Sequence, residues 1–205
     1  MKKILWIPQL TTVDNYTCTI TETMNKIIDE LHNEYKFFVM LPDEDDEYNF
    51  GPIVSSNACV IDSVNQPIHA YALHYDFDFS EICQNLKALQ PDIIINNFPA
   101  LTRNVKTAIH LTKMKTKVIS FLHSLEEAST PLEVSFFVRQ MEGVLCADKT
   151  VFLTEPLALE SMQRLNQLLP DLKLLINPYI DSEDTVCRYD VWDSIEKVKT
   201  TLSVF

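Results

Sequence analysis

Ile93-Ile-Ile-Asn-Asn-Phe98, Val118-Ile-Ser-Phe-Leu122 and Thr150-Val-Phe-Leu153 are three short apolar runs, each ending in small or polar residues and each followed by a helical pattern. Strands covered on both faces read as continuous apolar runs, so this recurrence predicts a parallel sheet built from βα units. Such sheets bind ligands at the carboxyl ends of their strands. The candidate site residues are therefore Asn96, Asn97 and Pro99 after the first run, His123, Ser124 and Glu126 after the second, and Thr154 and Glu155 after the third.

Working outward, Lys3 to Ile7 reads as an opening strand stopped by Pro8, followed by a polar loop from Gln9 to Thr19. Met24, Ile27, Ile28 and Leu31 then recur at helical spacing, with Thr19 and Glu22 in the capping-box relation. Tyr35 to Leu41 and Ala58 to Ile61 read as strands two and three. An aromatic and His-containing stretch, Gln66 to Phe77, leads to a helix marked by Ile82, Leu86 and Leu89 that ends before Pro91. Strand four spans Asp92 to Phe98, and Val105, Ala108, Ile109 and Thr112 mark the helix before strand five, Lys117 to His123. Thr130-Pro131-Leu132-Glu133 is a capping box with proline at the first helical position, predicting a helix from Pro131 to Ala147. Lys149 to Leu153 is strand six. Leu157 to Leu169 is a helix ended by Pro170, with Leu172 to Ile176 as the last strand. Val191, Ile195, Val198 and Leu202 form an amphipathic tail helix capped by Asp190.

The chain has 205 residues, 46% of them hydrophobic, which accommodates one α/β domain with a sizeable core. No stretch reaches the roughly 18 consecutive apolar residues of a membrane span, and the amino terminus runs into a strand, which predicts a cytoplasmic protein. Five scattered cysteines, never in a Cys-x-x-Cys pair, signal no disulfide framework and no metal site, and read as mostly buried thiols. The net charge of −12 argues against gripping nucleic acid over a broad surface, since phosphate binding depends on clustered Lys and Arg. Its densest acidic block, Asp43 to Glu47, reads as a solvated loop.

Phosphate-cradling loops need glycine to approach an anion, and the two glycines here, Gly51 and Gly143, do not follow the first strand. A dinucleotide fingerprint, a P-loop and a Gly-x-Ser-x-Gly elbow are all absent from the sequence. His123 stands apart from the other four histidines because it ends a central strand, where a side chain projects into the binding crevice. It is the candidate catalytic residue. A satisfied structural histidine is the competing reading.

Pro91-Asp-Ile-Ile-Ile-Asn-Asn97, Val118-Ile-Ser-Phe-Leu-His123, Ala147-Asp-Lys-Thr-Val-Phe-Leu-Thr-Glu155 and Leu175-Ile-Asn-Pro-Tyr-Ile-Asp181 follow one another in an order that resembles the amino-terminal domain of retaining glycosyltransferases of the GT-B fold. Ile95-Asn-Asn-Phe-Pro-Ala100 is particularly similar to phage enzymes that glucosylate modified bases in DNA. The resemblance covers Pro91 to Asp181 and implies a Rossmann-like acceptor-type domain, residues 1–181, with 182–205 as a tail. It implies that His123 contacts the transferred sugar. It also implies a nucleotide sugar as donor, with no other cofactor, bound by a second Rossmann-like domain through basic residues. After Asp181 only 24 residues remain, too few for that domain, and Gln9 to Tyr16 stands where the group has its glycine-rich loop.

The resulting expectation is a mainly parallel sheet with helices on both faces, one half of a GT-B fold. Its function is that of an acceptor-binding half that needs a second domain or chain for the donor and is inactive alone. The expected partners are a sugar acceptor, a donor-binding domain or chain, and another copy of the chain, with modified DNA an acceptor that the charge does not favour. The alternatives are a non-catalytic binding or regulatory module that keeps the fold, and a small enzyme acting on a nucleotide or sugar in the same crevice.

Overall fold

The computed structural model describes residues 1–8, 16–42, 54–63, 79–97, 102–123, 131–175 and 189–205. The fold is α/β, a seven-stranded sheet flanked by helices, with strand order β3-β2-β1-β4-β5-β6-β7. The strands are β1 (Lys2–Ile7), β2 (Tyr35–Pro42), β3 (Ala58–Ser63), β4 (Ile93–Asn96), β5 (Lys117–Leu122), β6 (Lys149–Phe152) and β7 (Tyr189–Val191). The helices are α1 (Tyr16–Leu31), α2 (Phe79–Leu89), α3 (Thr102–Thr112), α4 (Pro131–Cys146), α5 (Glu155–Leu175) and α6 (Ile195–Ser203). Two compact units divide the chain, one of Met1–Ile95 with Ala108–Thr116 and the other of Asn96–Thr107 with Lys117–Phe205.

In the first unit, β1 pairs in parallel with β2 and β2 with β3, Ile4 facing Phe37 and Val39 facing Val60 in register. Ile4, Leu5 and Trp6 are fully buried, as a strand covered on both faces requires. The predicted face of α1 is the buried one, with Met24, Ile27, Ile28 and Leu31 all in the core. The helix nevertheless begins at Tyr16, so Thr19 and Glu22 lie inside it and not at its start. The same Thr-x-x-Glu spacing also fits one turn of helix interior, and the pair alone does not distinguish the two positions.

Asp92 stands in front of β4 and is doubly tied to β1. The Lys3 amide donates to Asp92 Oδ2 at 2.7 Å, and the Asp92 amide donates to the Lys3 carbonyl at 2.9 Å. Two helices whose last residues lie in this unit end without glycine. Gln90 and Lys113 follow α2 and α3 with φ of 50° and 56°, in the left-handed region. After α3 the Lys113 amide donates to the His110 carbonyl and the Met114 amide to the Ile109 carbonyl, both at 3.1 Å, which is the Schellman pattern.

In the second unit, β5 pairs in parallel with β6 and β6 with β7, Phe121 facing Val151 and Phe152 facing Val191. Leu122, Phe137, Met141, Phe152, Leu165 and Val191 belong to one buried cluster. Asp148 repeats the device seen at Asp92: the Val118 amide donates to its Oδ2 at 2.8 Å and its own amide donates to the Val118 carbonyl at 2.9 Å. Lys106 Nζ adds an ion pair at 2.8 Å.

The carboxyl-terminal part departs from expectation. Leu172 to Leu175 belong to α5, which runs through Pro170, and the last strand is Tyr189–Val191. Leu172-Lys-Leu-Leu175 carries no β-branched residue, so its apolar content suits a helix as well as a strand. Val191 is a buried strand residue, and α6 starts only after it, capped by Ser194, whose Oγ accepts from the Lys197 amide at 3.5 Å. Asp190 caps nothing. Its Oδ2 accepts from Thr201 Oγ1 at 2.8 Å and pairs with Lys149 Nζ at 2.8 Å. Thr201 Oγ1 also accepts from Trp192 Nε1 at 3.1 Å, and Trp192 packs on Phe121 with ring centroids 5.3 Å apart, which fastens α6 to the sheet.

The cysteines divide. Cys146 is buried, and burial together with Glu142 pushes its thiol up to about 11, whereas Cys59 on the edge strand β3 is exposed. Among the described residues no helix is long and apolar enough to cross a membrane.

Candidate functional site

β4 is buried along its whole length, and the burial continues through Asn96 and Asn97 as the strand ends. Polar side chains held this deep need partners. Asn96 Nδ2 donates to Thr102 Oγ1 at 3.0 Å, and Thr102, the first residue of α3, is itself fully buried. That bond ties the end of the strand to the beginning of the following helix. Asn96 thus serves the fold.

Asn97 is placed differently. Its Nδ2 lies 3.3 Å from His123 Nδ1, and its Oδ1 is buried with no hydrogen-bond partner among the described residues. His123 follows the buried run that closes β5 and is half-buried. Burial lowers its pKa to about 4, so the ring is neutral at pH 7. A neutral imidazole carries one N–H donor and one acceptor nitrogen. With Nδ1 facing the Asn97 amide, the polar groups of the pair are uncharged donors and acceptors. At pH 7 so weak a base is a poor proton acceptor.

The remaining sequence candidates separate into two sets. Thr154 and Glu155 are exposed, and Thr154 Oγ1 accepts from the Leu157 amide at 3.4 Å, as a cap of α5. Glu155 opens the first turn of that helix, where a negative charge is favourable toward the helix dipole. Pro99, Ser124 and Glu126 lie outside the described residues. Sequence reasoning missed Thr102. Its signal was a small hydroxyl residue three positions ahead of the apolar periodicity that starts at Val105.

The cations of the second unit are largely engaged. Arg103 Nη1 pairs with Glu142 at 2.7 Å, Arg164 with Glu160 at 2.6 Å, Lys149 with Asp190 at 2.8 Å and Lys197 with Asp193 at 2.6 Å. Among the described residues no group of three or more His, Cys, Asp or Glu is placed to hold a metal ion.

No protein-family model matches the sequence, and comparison with curated proteins finds no match. Solved structures do match. Sucrose-phosphate synthase from Thermosynechococcus elongatus superposes over 99% of this chain and 96% of that chain, with a TM-score of 0.52 at 10% identity. The chain shares the α/β fold of that structure. The apo form of the lipopolysaccharide outer core galactosyltransferase WaaB matches 80% of this chain with a TM-score of 0.46 at 11% identity, and this chain spans 42% of that one.

Proposed function

We propose that the chain is the acceptor-binding half of a GT-B glycosyltransferase, holding hydroxyl groups of sugar and acceptor at Asn97 and His123 while a second domain or chain supplies the nucleotide-sugar donor. The observation that carries this reading is the buried Asn97 Oδ1, without a partner among the described residues, beside a neutral His123, in a fold shared with sucrose-phosphate synthase. A carbonyl oxygen and an uncharged ring suit neutral hydroxyls; a phosphate would favour cations and backbone N–H donors. The ordered motifs from Pro91 to Asp181 support a retaining enzyme and, through Ile95 to Ala100, an origin among phage enzymes of modified DNA bases. The charge of −12 favours a small hydroxylated acceptor over a duplex.

A second reading is favoured by the ion-paired cations. A donor diphosphate needs Arg or Lys, and Arg103, the basic residue nearest the candidate loops in sequence, is paired to Glu142. The chain by itself is then a binding module without transfer, acting with a donor-binding partner or with another copy of itself. Incubating the purified chain with a panel of nucleotide sugars and hydroxylated acceptors tests both readings. No turnover by the chain alone and sugar binding sensitive to His123→Ala fit the first; no sugar binding in any form of the protein rejects it.

A further inference from the structure

We propose that Asn97 is a positioning residue that fixes the tautomer of His123. The nitrogen of a side-chain amide only donates, so the 3.3 Å approach of Asn97 Nδ2 to Nδ1 leaves that ring nitrogen as the acceptor. In a neutral ring the single proton then sits on Nε2. The reversed amide would accept from Nδ1–H through its oxygen and leave both of its own N–H donors buried without partners among the described residues. A buried donor with no partner is rarer than an under-used carbonyl. The orientation with Nδ2 toward the ring leaves Oδ1 under-used, as the structure has it.

Asn97 is well held for such a role. It is fully buried and follows four fully buried strand residues, the last of which, Asn96, is bonded to Thr102. Hence His123 presents a fixed Nε2–H donor and does not alternate between donor and acceptor. This deepens the reading of His123 as a contact for a sugar hydroxyl, whose oxygen would accept from Nε2–H. The tautomer can be measured with no ligand present, so its test is separate from the test of that reading.

The experiment is a long-range proton–nitrogen correlation spectrum of the full chain at pH 8, with His123 assigned by substitution. The expected wild-type result is a single neutral form with Nε2 protonated and Nδ1 bare. Asn97→Asp places a carboxylate against Nδ1, and the proton is expected to move there. Asn97→Ala removes the fixed donor and is expected to give an averaged mixture. A wild-type ring protonated on Nδ1 overturns the proposal even if neither variant folds, and so does a pattern that both folded variants leave unchanged.

Discussion

Lys3 and Asp92 close a two-bond ring at the start of β4: the Lys3 amide donates to the Asp92 carboxylate at 2.7 Å while the Asp92 amide donates to the Lys3 carbonyl at 2.9 Å. Val118 and Asp148 repeat the arrangement at the start of β6 with distances of 2.8 and 2.9 Å. The Pro-Asp and Ala-Asp dipeptides that precede these strands are therefore register devices. Each carboxylate satisfies a backbone amide of the strand beside it, at the end of the strand opposite to that carrying Asn97 or Thr154. This separates the part of the motif pattern that makes the fold from the part that makes the site.

Replacing Asp148 by Ala removes the acceptor of the Val118 amide and the partner of Lys106, with an expected loss of about 1–3 kcal/mol. Asp148→Asn keeps an oxygen for the amide and loses only partly exposed ion pairs, so its cost should be nearer 0–1 kcal/mol, in order of magnitude. Urea unfolding of both variants checks the ranking. Equal losses would contradict the role given to the Val118 bond.

His123 makes folding pH-dependent with a defined sign. Its folded pKa of about 4 lies below the 6.5 of an unburied ring, so the unfolded chain binds more protons between those values. The contribution is fully present above pH 6.5, is lost as the pH falls through the window, and changes no further below about 4. The gap corresponds to about 3 kcal/mol at most. His123→Gln removes this titration, and the difference in urea midpoint between variant and wild type should change across pH 4 to 7. A constant difference would contradict the lowered pKa of the half-buried ring.

Lys113 occupies a left-handed position, φ 56°, where a side chain has a steric cost and glycine has none. Lys113→Gly is expected to stabilise the protein by about 0.5–1 kcal/mol, set by the balance between relieved strain and added unfolded-state freedom. A rise in melting temperature would bear this out. The same change at Lys115, two residues later and outside the left-handed region, should destabilise or do nothing.

Where apolar residues run unbroken, as in Ile93 to Ile95 and Val118 to Leu122, the sequence was enough to place buried strands and, from them, the carboxyl-end positions of Asn97 and His123. Periodicity also located the buried face of α1. It could not tell Leu172 to Leu175 from a strand, because a short apolar run fits both and the helix continues through Pro170. Nor could it separate Val191 from the tail helix: Val191, Ile195, Val198 and Leu202 share helical spacing, yet the parallel pairing of Phe152 with Val191 holds the first of them in β7. At the site, residue type gave candidates without roles. Asn96 and Asn97 look alike in sequence, and only their partners, Thr102 and His123, distinguish a structural amide from one with an oxygen left over.

The most direct test of the central claim is amide chemical-shift mapping of the isotopically labelled chain during titration with neutral sugars, nucleotide sugars and inorganic phosphate. The account predicts that sugars perturb Asn96, Asn97 and His123, that His123→Ala reduces those perturbations at least about tenfold in apparent affinity, equivalent to about 1.4 kcal/mol, and that phosphate leaves them unmoved. Perturbation of these residues by phosphate alone, or sugar binding that is indifferent to His123, would contradict it.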